Sequence, residues 1–223
     1  LPQKPGLVYP SQVEEMIKDT KGFLWFLTPT MVQRFDGKNI LSFSFDDRCI
    51  SIQQDENGTV FLASRQNIFR YKNDHTGFEK LQAYSSSTSM YRRLHAGPGK
   101  KLYLLTDDGI LQWKSSSGKF ETTGIPAFKN ADNFTTLKSF GNCIFYRLNN
   151  KTLARYNVIT NAQDTVQVTD PNFLVAINED SVWVRQGIGG SALVSFKTKT
   201  TTALTGKQFS NVFTCLLLEL RKY

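Results

Sequence analysis

The residue types that most often carry catalysis or bind metals are scarce in this chain. Its 223 residues include two histidines, His75 and His95, which fall in unrelated turn-like segments. A histidine-rich metal site needs several such ligands, and a Ser-His-Asp triad needs a histidine beside its nucleophile. We therefore interpret both histidines as exposed loop residues, and we expect no catalytic residue, no metal and no cofactor.

Two pairs of adjacent aspartates, Asp46-Asp47 and Asp107-Asp108, are the next candidates, because paired carboxylates can bind calcium or act as acid and base. Neighbouring side chains in a strand point to opposite faces, and both pairs lie where the sequence predicts turns. We interpret them as solvated turn residues. The alternative is a glycosidase or lyase, which requires two carboxylates about 5 to 10 Å apart at the centre of the fold.

Glycine-rich and cysteine-containing segments add little to this list. Gly97-Pro-Gly-Lys100 lacks the spacing of a phosphate-binding loop. Gly187-Ile-Gly-Gly190 fits a long hairpin better than a ligand cradle, although its backbone is where a ligand could approach closely. Cys49, Cys143 and Cys215 are an odd number at wide spacing with apolar neighbours, so we predict small buried side chains and no disulfide framework.

The net charge is +8, from 27 Lys and Arg against 19 Asp and Glu. Such a charge is compatible with nucleic acid, an anionic glycan or a membrane surface as partner. The basic residues are spread along the chain in runs of two at most, so we expect no nucleic-acid partner and a solvated surface. An anion-attracting rim of loops is the alternative. No apolar run is long enough to cross a bilayer, so we expect no membrane insertion of this segment.

The aromatic residues indicate how the chain is organised. Five triplets place an aromatic residue between two apolar ones, and their central aromatics lie 36 to 42 residues apart. A second aromatic follows each central one by 10 to 13 residues. The first set is Trp25, Phe61, Tyr103, Phe145 and Trp183, and the second is Phe35, Tyr71, Trp113, Tyr156 and Phe196. Two landmarks in one register indicate a repeat of about 40 residues.

Turn-forming residues precede the triplets. Asp19-Thr-Lys-Gly22 and Asp55-Glu-Asn-Gly58 each combine a side chain that accepts backbone hydrogen bonds with a glycine that can adopt positive φ. They predict tight hairpins between strands, and later units keep weaker turns such as Gly97-Pro-Gly99. The segment 12–18 is the one that could form a helix, but its place in the repeat leads us to interpret it as the first strand of the first unit.

Four short strands in each repeat are typical of a β-propeller, whose blades are small antiparallel sheets packed face to face. We predict an all-β propeller of about five blades, as one domain over 1–223, with the second strand of each blade buried on both faces. The ring is either partial or closed by pairing of the tail with residues 7–9. The predicted blades are 11–46, 47–86, 87–127, 128–168 and 169–206, and the tail is 207–223.

The first unit resembles the two-component regulator propeller repeat. That repeat reads Asp-x-x-Gly, an apolar-Trp-apolar strand, Thr, and then apolar-x-Arg-aromatic-Asp-Gly. Residues 19–28 (DTKGFLWFLT) and 32–37 (VQRFDG) match this pattern, and unit two matches it through Asp55, Gly58 and the segments 60–64 and 68–71. The later units keep the aromatics and progressively lose the turn motif. The likeness extends over about residues 13–206.

The resemblance implies the periplasmic sensor region of a Bacteroides-type hybrid two-component receptor that detects oligosaccharides. Signal transduction by ligand binding, without catalysis, is the leading hypothesis. A propeller-type carbohydrate-active enzyme (glycosidase or lyase) and a plain protein–protein scaffold remain open. Because propeller ligands bind where loops of several blades meet, we predict ligand-binding residues at Tyr84, Tyr91, Arg92, Arg93 and Phe128. A homodimer through an exposed blade edge is one expectation for the assembly.

Overall fold

The computed structural model describes residues 13–83, 93–106, 109–123, 125, 137–187 and 190–204. Within these ranges the chain forms twenty β-strands and a short 3₁₀ turn at Pro98–Lys100. The strands build five four-stranded antiparallel sheets, each with its strands in chain order. This confirms the predicted all-β propeller architecture of about five blades. The described ranges hold no helix of the length and apolar character that a membrane span requires.

The chain divides into two compact units, Leu1–Ala127 with three blades and Phe128–Tyr223 with two. In unit 1, blade 1 comprises β1 (Glu15–Lys18), β2 (Leu24–Leu27), β3 (Met31–Phe35) and β4 (Ile40–Ser44), blade 2 comprises β5 (Cys49–Gln54), β6 (Val60–Ser64), β7 (Asn67–Asn73) and β8 (Gly77–Ala83), and blade 3 comprises β9 (Arg93–Ala96), β10 (Leu102–Thr106), β11 (Gly109–Lys114) and β12 (Lys119–Thr122). In unit 2, blade 4 comprises β13 (Lys138–Phe140), β14 (Cys143–Asn149), β15 (Thr152–Asn157) and β16 (Gln163–Gln167), and blade 5 comprises β17 (Pro171–Asn178), β18 (Ser181–Gln186), β19 (Gly190–Ser195) and β20 (Thr200–Ala203). Each sheet falls within one predicted blade range.

The turns between first and second strands form as the sequence predicts. The Asp19 carboxylate accepts backbone hydrogen bonds from Lys21 and Phe23, both at 2.9 Å. Gly22 has a φ of +88°, which a glycine adopts without a steric penalty. In blade 2, Asp55 accepts bonds from two backbone N–H groups of its own turn at 3.0 and 2.8 Å. A short-range side-chain bond therefore defines the hairpin in both blades.

The first strands of neighbouring blades approach each other closely. β1 contacts β5 and β5 contacts β9 in unit 1, and β13 contacts β17 in unit 2. Within each unit the blades therefore fan outward from these inner strands, as propeller blades do around a central axis. In the segment 12–18, which could have formed a helix, residues Glu15–Lys18 form strand β1, as predicted from the repeat. The predicted pairing of the tail with residues 7–9 lies outside the described residues.

Apolar faces of successive blades pack against each other, and these interfaces form the cores of both units. Blades 1 and 2 bury Trp25, Leu27, Val32, Cys49, Ile52, Val60 and Leu62. Blades 2 and 3 bury Phe61, Ala63, Ile68, Leu94, Leu102, Leu104 and Trp113. Blades 4 and 5 bury a third cluster that includes Phe145, Leu153, Leu174, Val184 and Phe196. Since a fully buried side chain of this size contributes about 1.5–3 kcal/mol, contacts between blades dominate the stability of each unit.

The repeat aromatics differ in how deeply they are buried. The first aromatic of every blade has at most 7% of its surface exposed. The second is buried in blades 3 and 5, where Trp113 and Phe196 are 7% and 1% exposed, and half-buried in the other blades. It lies on or just after the third strand of its blade. Only the first aromatic is therefore a core residue in every blade.

The second strands of blades 2 and 3 are covered on both faces. Every residue of β6 and β10 is buried, as expected. In β2, by contrast, Trp25 and Leu27 are buried while Leu24 and Phe26 are half-buried, and Met16, paired with Phe26, is 58% exposed. The prediction of a doubly buried strand is wrong for blade 1, because only the face with Trp25 packs on another described blade.

Candidate functional site

One end of each unit gathers the residues with the clearest potential for binding. Each blade is an antiparallel meander of four strands in chain order. The start of the first strand and the turn between the second and third strands therefore lie at the same end of the blade. We call this end the hub face. In unit 1 its centre is the region around Glu15, Ser51 and Arg93, and in unit 2 it is the start of β17 around Phe173.

Glu15 is the central polar residue on the hub face of unit 1. It lies at the start of β1, and its side chain is 15% exposed. One carboxylate oxygen accepts a hydrogen bond from the backbone N–H of Ile52 at 2.9 Å, and the other accepts one from Nε2 of Gln53 at 3.1 Å. The carboxylate thus links the inner strand of blade 1 to the inner strand of blade 2.

Arg93 is the one predicted ligand-binding residue that lies within the described ranges. It begins β9, and its Nη2 lies 3.6 Å from Oε1 of Glu15, while its side chain remains 36% exposed. The ion pair crosses from blade 3 to blade 1 and is longer than a hydrogen bond. The guanidinium is therefore oriented by Glu15 and still presents donors to solvent. The predicted residues Tyr84, Tyr91, Arg92 and Phe128 lie outside the described residues.

A further polar contact joins the inner strands of blades 2 and 3. The Ser51 hydroxyl accepts a hydrogen bond from the backbone N–H of Leu94 at 2.8 Å, and Ser51 is fully buried. Glu15, Ser51 and Arg93 occupy equivalent positions in their blades. Each pairs with the residue that lies two places after the central aromatic of the blade. The hub of unit 1 is consequently held by side-chain to backbone bonds between blades.

The hub face of unit 2 has a different character. Phe173 takes the equivalent register position in blade 5, opposite Arg185 of β18, and 43% of its surface is exposed. Its ring meets that of Trp183 edge-on, with centroids 5.9 Å apart. Arg185 is also exposed. An aromatic ring and a guanidinium therefore stand side by side on this surface.

The structure places the two histidines differently from each other. His75 is an exposed residue of the turn between β7 and β8, as predicted. His95 is a half-buried residue of β9, paired with Tyr103, so its interpretation as an exposed loop residue is wrong. The repeat register that pairs it with the central aromatic of blade 3 could have placed it on the inner strand.

The remaining sequence candidates have structural roles. Oδ2 of Asp47 accepts hydrogen bonds from the Ser64 hydroxyl at 2.6 Å and from the backbone N–H of Gln66 at 2.7 Å, which fixes the turn between β6 and β7. Cys49 and Cys143 are buried, as predicted. Burial, together with nearby carboxylates, raises the pKa of the Cys49 thiol to about 12. The pair Asp107-Asp108 and Cys215 lie outside the described residues.

The arginine of the repeat motif joins blades 1 and 2. Arg34 lies opposite Trp25 on β3, and its guanidinium is 4.3 Å from the ring centroid of Phe23. It donates to the Tyr71 hydroxyl at 3.0 Å and to both carboxylate oxygens of Asp74, one of them at 3.0 Å. Hydrogen bonds from Arg34 and Tyr71 hold the pKa of Asp74 below its ordinary range.

Arg155 takes the same register position in blade 4. It donates to Asp164 of its own blade and to Asp180 of blade 5, and the Cζ atom lies 5.5 Å from the ring centroid of Phe196. Its bond to Asp164, with a second from Lys199, lowers the pKa of that carboxyl. Arg34 is buried and Arg155 is half-buried, and each pairs with an acid of the next blade, so the motif that carries the resemblance encodes structure.

Within the described ranges no three metal-ligating side chains lie together. The residues that sequence reasoning missed are Glu15, Gln53 and Phe173. A signal for two of them exists, because Glu15, Ser51, Arg93 and Phe173 recur at the spacing of the triplet aromatics. Aligning the five units on those aromatics, and reading the residue type at this register, would have singled out the hub positions.

The fold and the hub geometry define this chain as a β-propeller with polar side chains on the inner strands of unit 1. It is similar to virginiamycin B lyase from Staphylococcus aureus, with a TM-score of 0.65 at 14% identity over 89% of this chain and 71% of that one. It is also similar to the extracellular domains of the hybrid two-component systems BT4673 and BT3049 from B. thetaiotaomicron, with TM-scores of 0.63 and 0.58. These two are 13% and 18% identical and match 86% and 91% of this chain, but 30% and 31% of their own length.

No protein-family model matches the sequence, and no curated protein matches it significantly. At identities of 13 to 18% the likeness to solved structures concerns the fold. At that level the resemblance to two-component receptor propellers is confirmed. The chain spans about a third of the length of those receptor domains, so their activities bear on it only as proposals.

Proposed function

We propose that this chain is a ligand-sensing propeller from the periplasmic part of a two-component receptor, and that it binds an oligosaccharide on the hub face of unit 1. The observation that carries the proposal is the Arg93 side chain, which is 36% exposed and oriented by Glu15 at 3.6 Å. A partly exposed guanidinium beside a carboxylate keeps several hydrogen-bond donors available to a ligand, and such donors bind sugar hydroxyls and carboxylates.

The scarcity of carboxylates on the inner strands supports binding over acid–base catalysis. Among the described residues of the first strand of each blade (β1, β5, β9, β13 and β17), Glu15 is the one with a carboxylate side chain. Both of its oxygens already accept hydrogen bonds, from Ile52 and Gln53. A glycosidase needs a second carboxyl group at a defined distance to complete its chemistry. The hub of unit 1 therefore supplies a positioned donor more readily than a catalytic pair.

A lyase is the second candidate. Virginiamycin B lyase shares the fold, and a variant of that enzyme with a histidine replaced by alanine is catalytically inactive. In this chain His95 lies on the inner strand β9, two residues after Arg93, and is half-buried. We propose His95 as the base of this alternative. Incubation with a streptogramin B substrate tests it, since product formed by the wild type and abolished in His95→Ala would favour the lyase.

The sensor proposal is tested by screening the protein on a glycan array and measuring any ligand found by titration calorimetry. Arg93→Ala is expected to weaken binding at least tenfold, and Arg93→Lys to restore part of the loss. Lys38→Ala is the matched control, because it removes a positive charge from an exposed turn at the opposite end of blade 1. Absence of binding to every oligosaccharide, or equal binding by Arg93→Ala, would contradict the proposal.

A further inference from the structure

Phe173 is an exposed aromatic residue on the hub face of unit 2, on the side of blade 5 opposite Leu174, which packs on blade 4. Blade 5 already has its core aromatics, Trp183 and Phe196, which are 7% and 1% exposed. The equivalent register position holds Glu15, Ser51 and Arg93 in the three blades of unit 1, and none of these is apolar. A large aromatic side chain with 43% of its surface exposed therefore stands where the fold accepts a polar residue.

The ring of Phe173 is supported from behind. Trp183 lies on the neighbouring strand and meets it edge-on, with centroids 5.9 Å apart. Such a contact restricts the orientation of the exposed ring, and a fixed ring loses little conformational entropy when a ligand packs on it. Arg185 is the direct cross-strand partner of Phe173, so its exposed guanidinium lies beside the same surface.

The backbone around Phe173 departs from regular strand geometry. The pairing of β17 with β18 shifts by one residue between Pro171 and Phe173, which is a β-bulge. The same shift precedes Ser51 in β5, so this bulge is a feature of the repeat, and it sets the direction of the side chain that follows it. Asp170, just before the strand, has a φ of +40°, a left-handed conformation that is uncommon for residues other than glycine.

A buried arginine anchors this strained segment. Arg147 is 6% exposed, and it donates to the Asn150 side chain and to the backbone oxygen of Asn149. Its Nη2 also lies 3.6 Å from the Asp170 carboxylate. A buried charge with several partners holds a single backbone arrangement. The segment that leads to Phe173 is thus tied by an ion pair to blade 4.

The ligand chemistry follows from the pair of exposed groups. The C–H face of a pyranose ring packs against an aromatic ring, and a guanidinium binds a carboxylate or sulfate through paired N–H donors. The positive net charge of the chain, +8, also attracts anions. We propose that Phe173 and Arg185 form a binding site for an anionic sugar residue, the ring stacking on Phe173 and the acidic group bound by Arg185. This rests on the proposed function and names the sugar class.

Titration calorimetry with the full chain tests the proposal, using an oligogalacturonate, a heparin-derived oligosaccharide and a neutral malto-oligosaccharide of equal length. The first two distinguish a carboxylate from a sulfate. Phe173→Ala is expected to weaken binding of the preferred anionic ligand at least tenfold. Arg185→Gln is expected to reduce it to the level of the neutral ligand. Circular dichroism checks that both variants remain folded.

Two substitutions serve as matched controls. Phe140→Ala removes another exposed phenylalanine, 39% accessible, from an inner strand of the same unit at the opposite end. Lys197→Gln removes one exposed positive charge from the turn after β19. Both are expected to bind like the wild type.

The outcomes separate this site from the wider proposal. If the wild type binds an anionic oligosaccharide and neither Phe173→Ala nor Arg185→Gln weakens it, the site in unit 2 is wrong and the sensor function stands. Preference for the neutral ligand would likewise overturn the anionic assignment alone. If the wild type binds none of the oligosaccharides on the wider array, the sensor function fails and this site fails with it.

Discussion

The carboxylate of Glu15 in blade 1 accepts a hydrogen bond from the backbone N–H of Ile52 in blade 2, with the oxygen and nitrogen 2.9 Å apart. The two residues are 37 positions apart in sequence, so the bond exists only once the blades have packed. Ile52 is fully buried, and its N–H would be costly to leave without an acceptor. A side chain that orients the candidate ligand-binding arginine therefore also closes the inner edge of a blade interface.

We expect Glu15→Ala to lower the free energy of unfolding by about 1–3 kcal/mol, because it leaves a buried backbone donor unsatisfied. Glu15→Gln keeps one acceptor oxygen and should cost less. Urea denaturation followed by fluorescence measures both. The neighbouring Glu14 pairs with Arg48, and both side chains are well exposed, so Glu14→Ala should change stability by about 0.5 kcal/mol or less. Equal losses from Glu14→Ala and Glu15→Ala would contradict this account of the hub.

The turn at Asp19 should be far more sensitive than the similar turn at Asp36. Asp19 accepts two backbone N–H bonds and also a bond from Nε1 of the buried Trp25 at 2.8 Å. Asp36 accepts bonds from its own exposed turn alone. We expect Asp19→Ala to cost about 2–4 kcal/mol and Asp36→Ala about 1 kcal/mol or less. Thermal unfolding of the two variants, compared at one pH, gives the difference, and similar values would refute it.

The features of the fold that could be predicted from sequence are those encoded locally. Asp19 and Gly22 specify a hairpin through bonds and backbone angles within five residues. The triplet around Phe61 identifies a strand that is covered on both faces. Because both signals recur every 40 residues or so, the order of strands and the number of blades follow without any long-range information.

The candidate site could not be predicted in the same way, because it depends on contacts between blades. Arg34 and Arg93 have the same residue type, yet one is buried in an ion pair between blades and the other is half exposed at the hub. Burial of this kind is set by the packing of neighbouring sheets. Phe173 could not be distinguished from the other phenylalanines of the chain, because its exposure depends on which faces of blade 5 are covered.

Stability should fall at acid pH partly through Asp74. Hydrogen bonds from Arg34 and Tyr71 hold its pKa below the ordinary value of 3.8 in the folded protein. In the unfolded chain the carboxyl takes up a proton more readily, so the stabilisation is present in full above about pH 5. It is lost as the pH falls through the lower pKa of the folded state.

The measurement is the urea midpoint of the wild type and of Asp74→Asn between pH 7 and pH 2.5. Asp74→Asn should have a lower midpoint at pH 7 and a weaker dependence on pH below about pH 4, because it lacks the titrating group. Asp46→Asn, which alters an exposed turn residue, should parallel the wild type. If the urea midpoints of Asp74→Asn and the wild type changed with pH in parallel, the contact between blades 1 and 2 would contribute nothing to the pH dependence of stability.

Alanine substitution at either glycine of the turn before β10, Gly97 or Gly99, should lower the stability of the protein, but for different physical reasons. Gly97 has a φ of −99°, which any residue adopts, but an added Cβ would lie 2.5 Å from the ring of Tyr103, which is 2% exposed. Gly99 has open space around it and a φ of +65°. We expect Gly97→Ala to lower the free energy of unfolding by about 1–3 kcal/mol through overpacking, and Gly99→Ala by about 1–2 kcal/mol through backbone strain.

Double mutants distinguish the two causes. Tyr103→Leu should relieve the loss from Gly97→Ala but not that from Gly99→Ala, because only the first arises from contact with the ring. Strict additivity of Gly97→Ala with Tyr103→Leu would rule out the steric explanation.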